Sequence, residues 1–132
     1  MPHPLETHPL HLGRGAKVSV EPAFTGMDWY GPYIARHAAD GAEGRLVTLH
    51  SFSEDWDSWE MHPEGEEVVI CIEGAIVLVQ ESPDGTTRHV ELAAGDCAIN
   101  PRGVWHTANV AASARVLFIT AGWGTQGRPR DN

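Results

Sequence analysis

Extended apolar segments are missing from this chain of 132 residues. Its apolar runs are only a few residues long, such as VVICI at 68–72, whereas a helix that crosses a bilayer needs ~20 apolar residues. The N-terminus has neither an early basic segment nor an apolar stretch that ends in small residues, which are the marks of a secretion signal. We therefore expect no membrane contact and a cytoplasmic location.

Cysteines and basic residues are also scarce. Cys71 and Cys97 are the two cysteines, and because each lies in an apolar segment, we expect small core residues of a reduced protein, with a disulfide as the alternative. Lys and Arg number 9 against 18 Asp and Glu, which gives a formal net charge of -9. This is the wrong sign for a phosphate backbone, so nucleic acid is not an expected partner.

The composition is that of one compact domain. Hydrophobic residues make up 42% of the chain and charged residues 20%, which is enough apolar surface to pack a core. Residues 1–16 contain prolines and histidines without apolar periodicity and are predicted to form an irregular N-terminal arm, whose histidines belong to a mobile tail rather than a metal site. Residues 17–122 are predicted to form the domain, and the polar, Gly-rich residues 123–132 a surface tail.

A series of short strand-like segments follows Gly44, separated by turns that contain Gly or Pro. Evenly spaced strands without intervening helices exclude a parallel α/β sheet and favour an antiparallel sandwich or barrel. Between Phe24 and Ala39, apolar and aromatic residues recur near helical spacing and end at Asp40-Gly41, which predicts a short helix. The predicted fold class is therefore all-β with a short N-terminal helix. The segments are RLVTLHSF, SWEMH, EEVVICIEG, IVLVQE, TRHVEL, DCAIN, VWHTANV and ARVLFITAG.

Two stretches combine metal-ligand residue types with strand geometry. Glu60 and His62 are two residues apart on a predicted strand, so they project to the same side. The turn at 63–65 reverses the chain and lets Glu67 face the same space, and a tight turn at 101–103 delivers His106 onto a new strand. Imidazoles and carboxylates that converge inside a barrel are costly to bury unless they pair or coordinate a cation. These four residues therefore predict a site for one divalent metal ion.

The spacing of these residues resembles the two motifs of the cupin superfamily. The first motif of that family is Gly, five residues, His-x-His, three or four residues, Glu, six residues, Gly, and the second is Gly, five residues, Pro-x-Gly, two residues, His, three residues, Asn. The chain departs from them at Glu60, where His is usual, at Glu54, where Gly is usual, and at Asn109, which comes one residue early. The matching positions are His62, Glu67, Gly74, Gly95, Pro101, Gly103 and His106.

The resemblance covers about residues 45–121. It implies a small antiparallel jelly-roll β-barrel that holds a metal in its interior, in a family where homodimers are common. Glu60, His62 and His106 would form a set of two histidines and one carboxylate that leaves coordination positions open. Glu67 would be a fourth ligand or a general base, and Glu66 is its competitor because a one-residue change of register would exchange the two. The spacing to Gly74 favours Glu67.

The function that follows is a cupin-type metalloenzyme acting on a small polar substrate. The open ligand set suggests oxygen-dependent, dioxygenase-like chemistry, and the oxygen donors favour Fe(II), Mn(II) or Zn(II). An isomerase or lyase with Glu67 as its base is the second enzymatic hypothesis. The rival from another class is a noncatalytic domain that binds a metabolite or metal. Six large aromatic side chains are expected in the core rather than in a pocket: Trp29, Tyr30, Tyr33, Trp56, Trp59 and Trp105.

Overall fold

The computed structural model of the chain describes residues 2–131 and contains, within that range, ten strands and one α-helix. All strand pairings are antiparallel, which confirms the predicted all-β fold with a short helix. None of the helices in this range has the length and apolar character that crossing a membrane requires. The elements are β1 Leu10–Leu12, β2 Val18–Val20, α1 Tyr30–Arg36, β3 Arg45–Phe52, β4 Ser58–Met61, β5 Glu67–Glu81, β6 Thr87–Ala93, β7 Cys97–Asn100, β8 His106–Asn109, β9 Ala114–Thr120 and β10 Gln126–Pro129.

Strand β5 joins the two sides of the barrel. Its first half pairs with β7 and β9, and its second half pairs with β6 and β8. The register shifts between Cys71 and Glu73, and Gly74 adopts a φ of 74°. The sequence predicts two strands here, but the chain bends at this bulge without reversing, so one long strand results. The strand order is β10-β4-β8-β5-β9-β3-β1-β2, with β6 and β7 attached to β5.

The main core lies between the inward faces of β5, β8 and β9. Val69 and Cys71 alternate with outward residues on β5, and Val116 and Phe118 do the same on β9. Full burial of a Val or Phe side chain contributes about 1.5–3 kcal/mol, so these strands carry much of the stability. Both cysteines are free, but only Cys71 is buried. Cys97 is exposed because it pairs with Ile70 on the outward face, which corrects the expectation of a core residue.

Helix α1 and the preceding 3-10 turn form a second apolar cluster. Trp29 stacks on Tyr33 with ring centroids 5.2 Å apart, and both pack on Leu46 of β3. The helix ends at Arg36, and the backbone N–H of His37 donates to the carbonyl of Tyr33. The predicted helix is confirmed, although its α-helical part is shorter than the 24–39 segment. This cluster closes one end of the space between the strands.

The N-terminal arm differs from the prediction, because residues 1–16 include β1. Strand β1 pairs with both β2 and β3, and its alternation places His11 inward and the two leucines outward. His11 is buried between the Tyr33 hydroxyl and the Asp40 carboxylate, each 2.6 Å from one of its ring nitrogens. Those contacts are long-range and leave no trace in the local sequence pattern, which therefore indicates an irregular arm.

His11, His37 and Asp40 have potential ligand atoms within 4.8 Å of one another. Both ring nitrogens of His11 are nevertheless engaged in hydrogen bonds, and its ring stacks on His37 with centroids 3.6 Å apart. His37 in turn contacts the buried carboxylate of Glu21 through Nε2. The cluster is thus a satisfied hydrogen-bond network that holds β1 against the helical segment, residues 27–43, which comprises α1 and the 3-10 turns on either side of it.

The predicted surface tail at 123–132 also contains a strand, since β10 pairs with β4. Arg128 lies between the rings of Trp59 and Trp105, with its guanidinium carbon 5.0 and 4.6 Å from their centroids, and donates to Glu81 at 2.8 Å. Cation–π contact and a charged hydrogen bond hold the segment in place. A short, polar segment with Gly and Pro carries too weak a strand signal for this pairing to be predicted.

Candidate metal centre

The structure brings the four predicted side chains together where β4 ends and β5 and β8 begin. Glu60 on β4 is the direct cross-strand neighbour of His106, which opens β8. His62 directly follows β4, and Glu67 opens β5 after the short turn at 63–66. Ligand atoms of Glu60, His62 and His106 lie within 4.8 Å of one another. Glu67 Oε2 is 3.2 Å from His62 Nε2, and Glu67 Oε1 is 3.3 Å from His106 Nε2.

Glu67 is held in place by hydrogen bonds to both of its carboxylate oxygens. Asn100 Nδ2 donates to Oε1 at 3.0 Å, and the Thr120 hydroxyl donates to Oε2 at 2.6 Å. Asn100 is itself oriented by Gln80, whose Nε2 donates to Asn100 Oδ1 at 2.9 Å. Glu66, the alternative to Glu67, is exposed, because adjacent residues at the start of β5 face opposite sides.

The hydrogen bonds of the two histidines define their tautomers. Thr125 donates its hydroxyl hydrogen to the carbonyl of Gly122, so His62 Nδ1, 2.8 Å from that hydroxyl, must be the donor to it. His106 Nδ1 lies 3.3 Å from the carbonyl of Val104, which can only accept. In the neutral rings the proton is therefore on Nδ1, and each Nε2 presents a lone pair to the space beside Glu67.

The electrostatics of the centre favour positive charge at this point. Burial raises the pKa of Glu67, but the adjacent His106 and His62 outweigh it, so the net pKa lies well below the ordinary value. Burial lowers the pKa of His106, yet contact with Glu67 and the charge of Glu60 raise it above its usual value. Burial and the charge of Glu67 raise the pKa of Glu60. The carboxylates thus stabilise a cation, whether a proton or a metal, next to the imidazoles.

The residues fit a divalent metal ion. His62 Nε2 and His106 Nε2 are both buried, and neither has a hydrogen-bond partner among the described residues. Two buried lone pairs that face carboxylate oxygens at 3.2 and 3.3 Å repel those oxygens unless a cation lies between them. Two imidazole nitrogens with one or two carboxylates form a donor set typical of Fe, Mn or Zn sites, and the hydrogen bonds at Nδ1 resemble the outer contacts that orient metal-bound histidines.

A cavity of about 690 Å³ opens beside the centre. Glu60, His62 and Glu67 lie in its wall, and the side chain of Glu60 is 40% exposed. The sequence predicts the aromatic residues in the core, where Trp29 and Tyr33 are indeed buried. Tyr33 also lines this cavity, together with the less buried Tyr30 and Trp56. The helical segment and the loop after β3 cover the open end of the barrel, an arrangement that local sequence cannot reveal. A volume of this size holds a small organic molecule.

Several residues of the site are missed by sequence reasoning. Thr120, Asn100 and Gln80 orient Glu67, and Thr125 orients His62. The available signal is weak: Thr120 ends the inward series of β9, in which the other inward residues are apolar, and Asn100 ends β7 directly before Pro101. Neither residue type is a typical ligand of the predicted metals, so the sequence alone does not single them out.

Comparisons with known proteins agree with this architecture. The family model described as Cupin domain matches residues 52–120. A cupin-2 domain containing protein from Shewanella frigidimarina is 21% identical, with a TM-score of 0.49 over 65% of this chain and 71% of its own. Hydroquinone 1,2-dioxygenase from Sphingomonas sp. TTNP3 is 16% identical, with a TM-score of 0.51 over 58% of this chain and 59% of its own.

Oxalate decarboxylase of Bacillus subtilis, a protein with Mn(II) centres, is 16% identical to this chain. Its TM-score is 0.54 over 73% of this chain and 26% of its own. No curated protein matches the chain in sequence. At these identities the solved structures show similarity of fold alone. The substrates of these enzymes are therefore not assigned to this chain.

Proposed function

The chain belongs to the cupin domain family and has its antiparallel jelly-roll fold, and from that premise we propose that it is a metal-dependent, dioxygenase-like enzyme acting on a small molecule. The observation that carries the proposal is the pair of buried Nε2 atoms without partners in the described chain that face the Glu67 carboxylate. The proposed ligands are Glu60, His62, His106 and Glu67, and the proposed ion is Fe(II), Mn(II) or Zn(II).

The chain's own residues divide the work of such a site. Thr125 and the carbonyl of Val104 fix the two imidazoles with their Nε2 atoms toward one point. Although burial raises the pKa of Glu67, His106 and His62 hold it well below its ordinary value, and a carboxylate of low pKa is a weak base, which favours a ligand role over that of a general base. Hydrogen bonds from Asn100 and Thr120 fix the orientation of Glu67. Glu60 is the most exposed of the three proposed ligands on the cavity wall, where we propose that the substrate enters. When bound, a divalent ion with this donor set acts as a Lewis acid and, as Fe(II), gives access to reactions with O₂.

Tyr30 supplies a neutral hydroxyl on the cavity wall. Burial, together with the charges of Glu60 and Glu67, raises the pKa of Tyr30 to about 12. The phenol therefore stays protonated at neutral pH and can donate a hydrogen bond to a substrate oxygen beside the centre. A protonated donor at this position orients substrate without adding further negative charge to a site that already contains two carboxylates.

Turnover assays with defined metals test the proposed activity. Metal-free protein is reconstituted with Fe(II), Mn(II) or Zn(II) and incubated with a panel of small aromatic and aliphatic oxygenated compounds, with and without air. We expect product that requires both a metal and O₂. Product that forms equally without air supports the isomerase or lyase hypothesis instead. Tight binding of a compound without product in every metal supports the noncatalytic binding domain.

The role of Glu60 is tested by Glu60→Gln. The amide keeps the shape of the side chain but loses its charge, so we expect metal affinity to fall at least about tenfold, by analogy with the loss from weaker outer contacts. Because Glu60 is partly exposed, the metal-free melting temperature should stay within about 4 °C of wild type. Elemental analysis and a melting curve measure both. Glu66→Gln, an exposed neighbour, is the control; unchanged metal content in Glu60→Gln removes Glu60 from the ligand set.

We further propose that the protein forms a homodimer through the outward face of the sheet formed by β7, β5, β9, β3, β1 and β2. The pairing register aligns one apolar row across all six strands. A second row crosses four of them. The first row is Ile99, Val68, Ile119, Val47, Leu10 and Val20, and the second is Cys97, Ile70, Leu117 and Leu49. Val47 is already buried within the chain, so the other residues offer the exposed surface.

A second copy of the chain is the occupant that fits this outward face. Strands buried on both sides have uninterrupted apolar runs, as VVICI of β5 does. The ten side chains of the two rows, each occupying about 4.8 Å across and about 6.8 Å along the strands, cover roughly 330 Å², about two-fifths of the ~800 Å² that each partner buries in a standard interface. The chain has a net charge of -9, yet these two rows carry no carboxylate, so two copies avoid repulsion there.

Ile99→Asp tests the dimer. Ile99 is 53% exposed at one end of the first row, so a charge there should spare the fold. In a two-fold interface the substitution occurs twice, and we expect the dimer Kd to rise at least about tenfold. Sedimentation analysis over a range of concentrations measures it, with His89→Asp on exposed β6 as the control. A wild-type protein that sediments as a monomer throughout contradicts the proposed interface.

A further inference from the structure

The cavity beside the metal centre has an aromatic wall, formed by Tyr30, Tyr33, His50, Phe52, Trp56 and Phe118. Most of these rings contact one another. Phe52, Trp56 and Phe118 lie with centroids 5.5–6.2 Å apart, and His50 is 6.2 Å from both phenylalanines. Such a surface packs well against a flat apolar molecule, because stacked and edge-to-face ring pairs are favourable.

The same cavity has an acidic rim, formed by Glu54, Asp55 and Asp57 in the loop between β3 and β4. All three residues are exposed, and one carboxylate oxygen of Asp55 accepts a hydrogen bond from the backbone N–H of Val110 at 2.8 Å. No Lys or Arg from the described range 2–131 lines the cavity. In the metal-free protein, an anion that enters therefore loses hydration without gaining a cationic side chain, and the nearby carboxylates repel it.

One buried donor in the aromatic wall has no partner. Trp56 Nε1 is inaccessible to solvent and lacks a hydrogen-bond acceptor among residues 2–131. This N–H is as inaccessible to a molecule in the cavity as it is to water, so it does not select the ligand. The Tyr30 hydroxyl on the same wall is protonated and provides the donor. The wall thus suits a ring that bears a neutral oxygen or another neutral acceptor.

We propose that this cavity selects aromatic molecules that are neutral or positively charged and discriminates against carboxylates and other anions. That the bound molecule is a substrate rests on the proposed function. The preference for neutral or cationic molecules rests on the side chains that line the cavity. Cation–π contact with the wall and attraction to the rim both favour a positive group. The preference is a property of the metal-free cavity, because a bound divalent ion would itself attract anions.

A matched set of probes tests the preference. Benzylamine, benzyl alcohol and benzoate share one ring and differ in charge at neutral pH. Each is titrated into EDTA-treated protein, with intrinsic tryptophan fluorescence and calorimetry as readouts. We expect benzylamine and benzyl alcohol to bind at least about tenfold more tightly than benzoate. Benzoate binding as tightly as the other two, or no saturation of any probe at millimolar concentration, overturns the inference.

Variants separate the two parts of the preference. Asp57→Asn should narrow the advantage of benzylamine over benzoate, since it removes one rim charge. Phe52→Leu should weaken all three probes by a similar factor, since it removes a ring. Asp84→Asn, in the exposed turn between β5 and β6, is the control and should change neither. If Asp57→Asn leaves the ratio of the two affinities unchanged, the rim does not select charge and that part of the inference is wrong.

The metal-free titration also keeps this inference distinct from the proposed enzyme. If the protein shows the charge preference but no metal-dependent turnover, the proposed cavity selectivity stands and the proposed dioxygenase activity is wrong. If the protein turns over substrates with metal but binds benzoate as tightly as benzylamine, the proposed activity stands and the proposed cavity selectivity is wrong.

Discussion

Replacing His106 with alanine is expected to remove nearly all bound metal from the protein. His106 is fully buried, its ring is fixed by the carbonyl of Val104, and its Nε2 faces Glu67 at 3.3 Å. Loss of an outer contact alone costs about 10–100-fold in metal affinity, so loss of a direct ligand should cost at least about 100-fold. Elemental analysis after gel filtration should find less than about a tenth of the wild-type metal content. Any metal-dependent activity should disappear with it.

The controls separate ligation from folding. His89→Ala removes a histidine from exposed β6 and should leave the metal content unchanged. His106→Gln keeps most of the buried volume and should lose metal as His106→Ala does, while its metal-free melting temperature stays closer to wild type. Full metal occupancy in both His106 variants, with a folded protein, rules His106 out as a ligand.

Gly74→Ala is expected to destabilise the fold strongly, although it adds only one methyl group. Gly74 has a φ of 74°, and an added Cβ would lie 2.0 Å from the backbone oxygen of Ser113. A left-handed conformation costs about 1–2 kcal/mol for a residue with a Cβ. Because the clash is with backbone, β5 and β9 must shift apart, which adds about 1–3 kcal/mol. Urea unfolding should therefore show a loss of about 2–5 kcal/mol in the free energy of unfolding.

Gly85 provides the matched control for this prediction. Its φ is 87°, yet a Cβ added to Gly85 would meet no heavy atom within 4 Å. Gly85→Ala should lose only the conformational part, about 1–2 kcal/mol. A Gly74→Ala protein that unfolds at the same urea concentration as Gly85→Ala contradicts the close approach of β5 to Ser113.

The convergence of the four side chains at the candidate metal centre could be predicted because local geometry determines it. Alternation along the chain places Glu60 and His62 on the same side, and short turns with Gly or Pro bring Glu67 and His106 back toward that side. The resemblance to known motifs then separates Glu67 from Glu66. Only the two turns had to be recognised, so the sequence was sufficient for the placement of these side chains.

Other features depend on contacts that the local sequence does not encode. Strand β1 forms because β3 offers it an edge, and β10 is held by Arg128 between two tryptophan rings. Cys97 faces outward because of its register with Ile70. Trp56 lines the cavity because the loop after β3 folds over the barrel end. In each case the environment of a residue is set by a segment distant in sequence, and the periodicity of the local sequence does not reveal such contacts.

Crystals of untagged protein purified without added metal provide the most direct test of the metal centre. X-ray data collected on either side of the Fe, Mn and Zn absorption edges identify any bound ion by its anomalous signal. We expect one peak per chain, about 2.0–2.2 Å from His62 Nε2 and His106 Nε2 and from an oxygen of Glu60. Ordered density without such a peak, in crystals soaked with each metal in turn, would contradict the proposed centre.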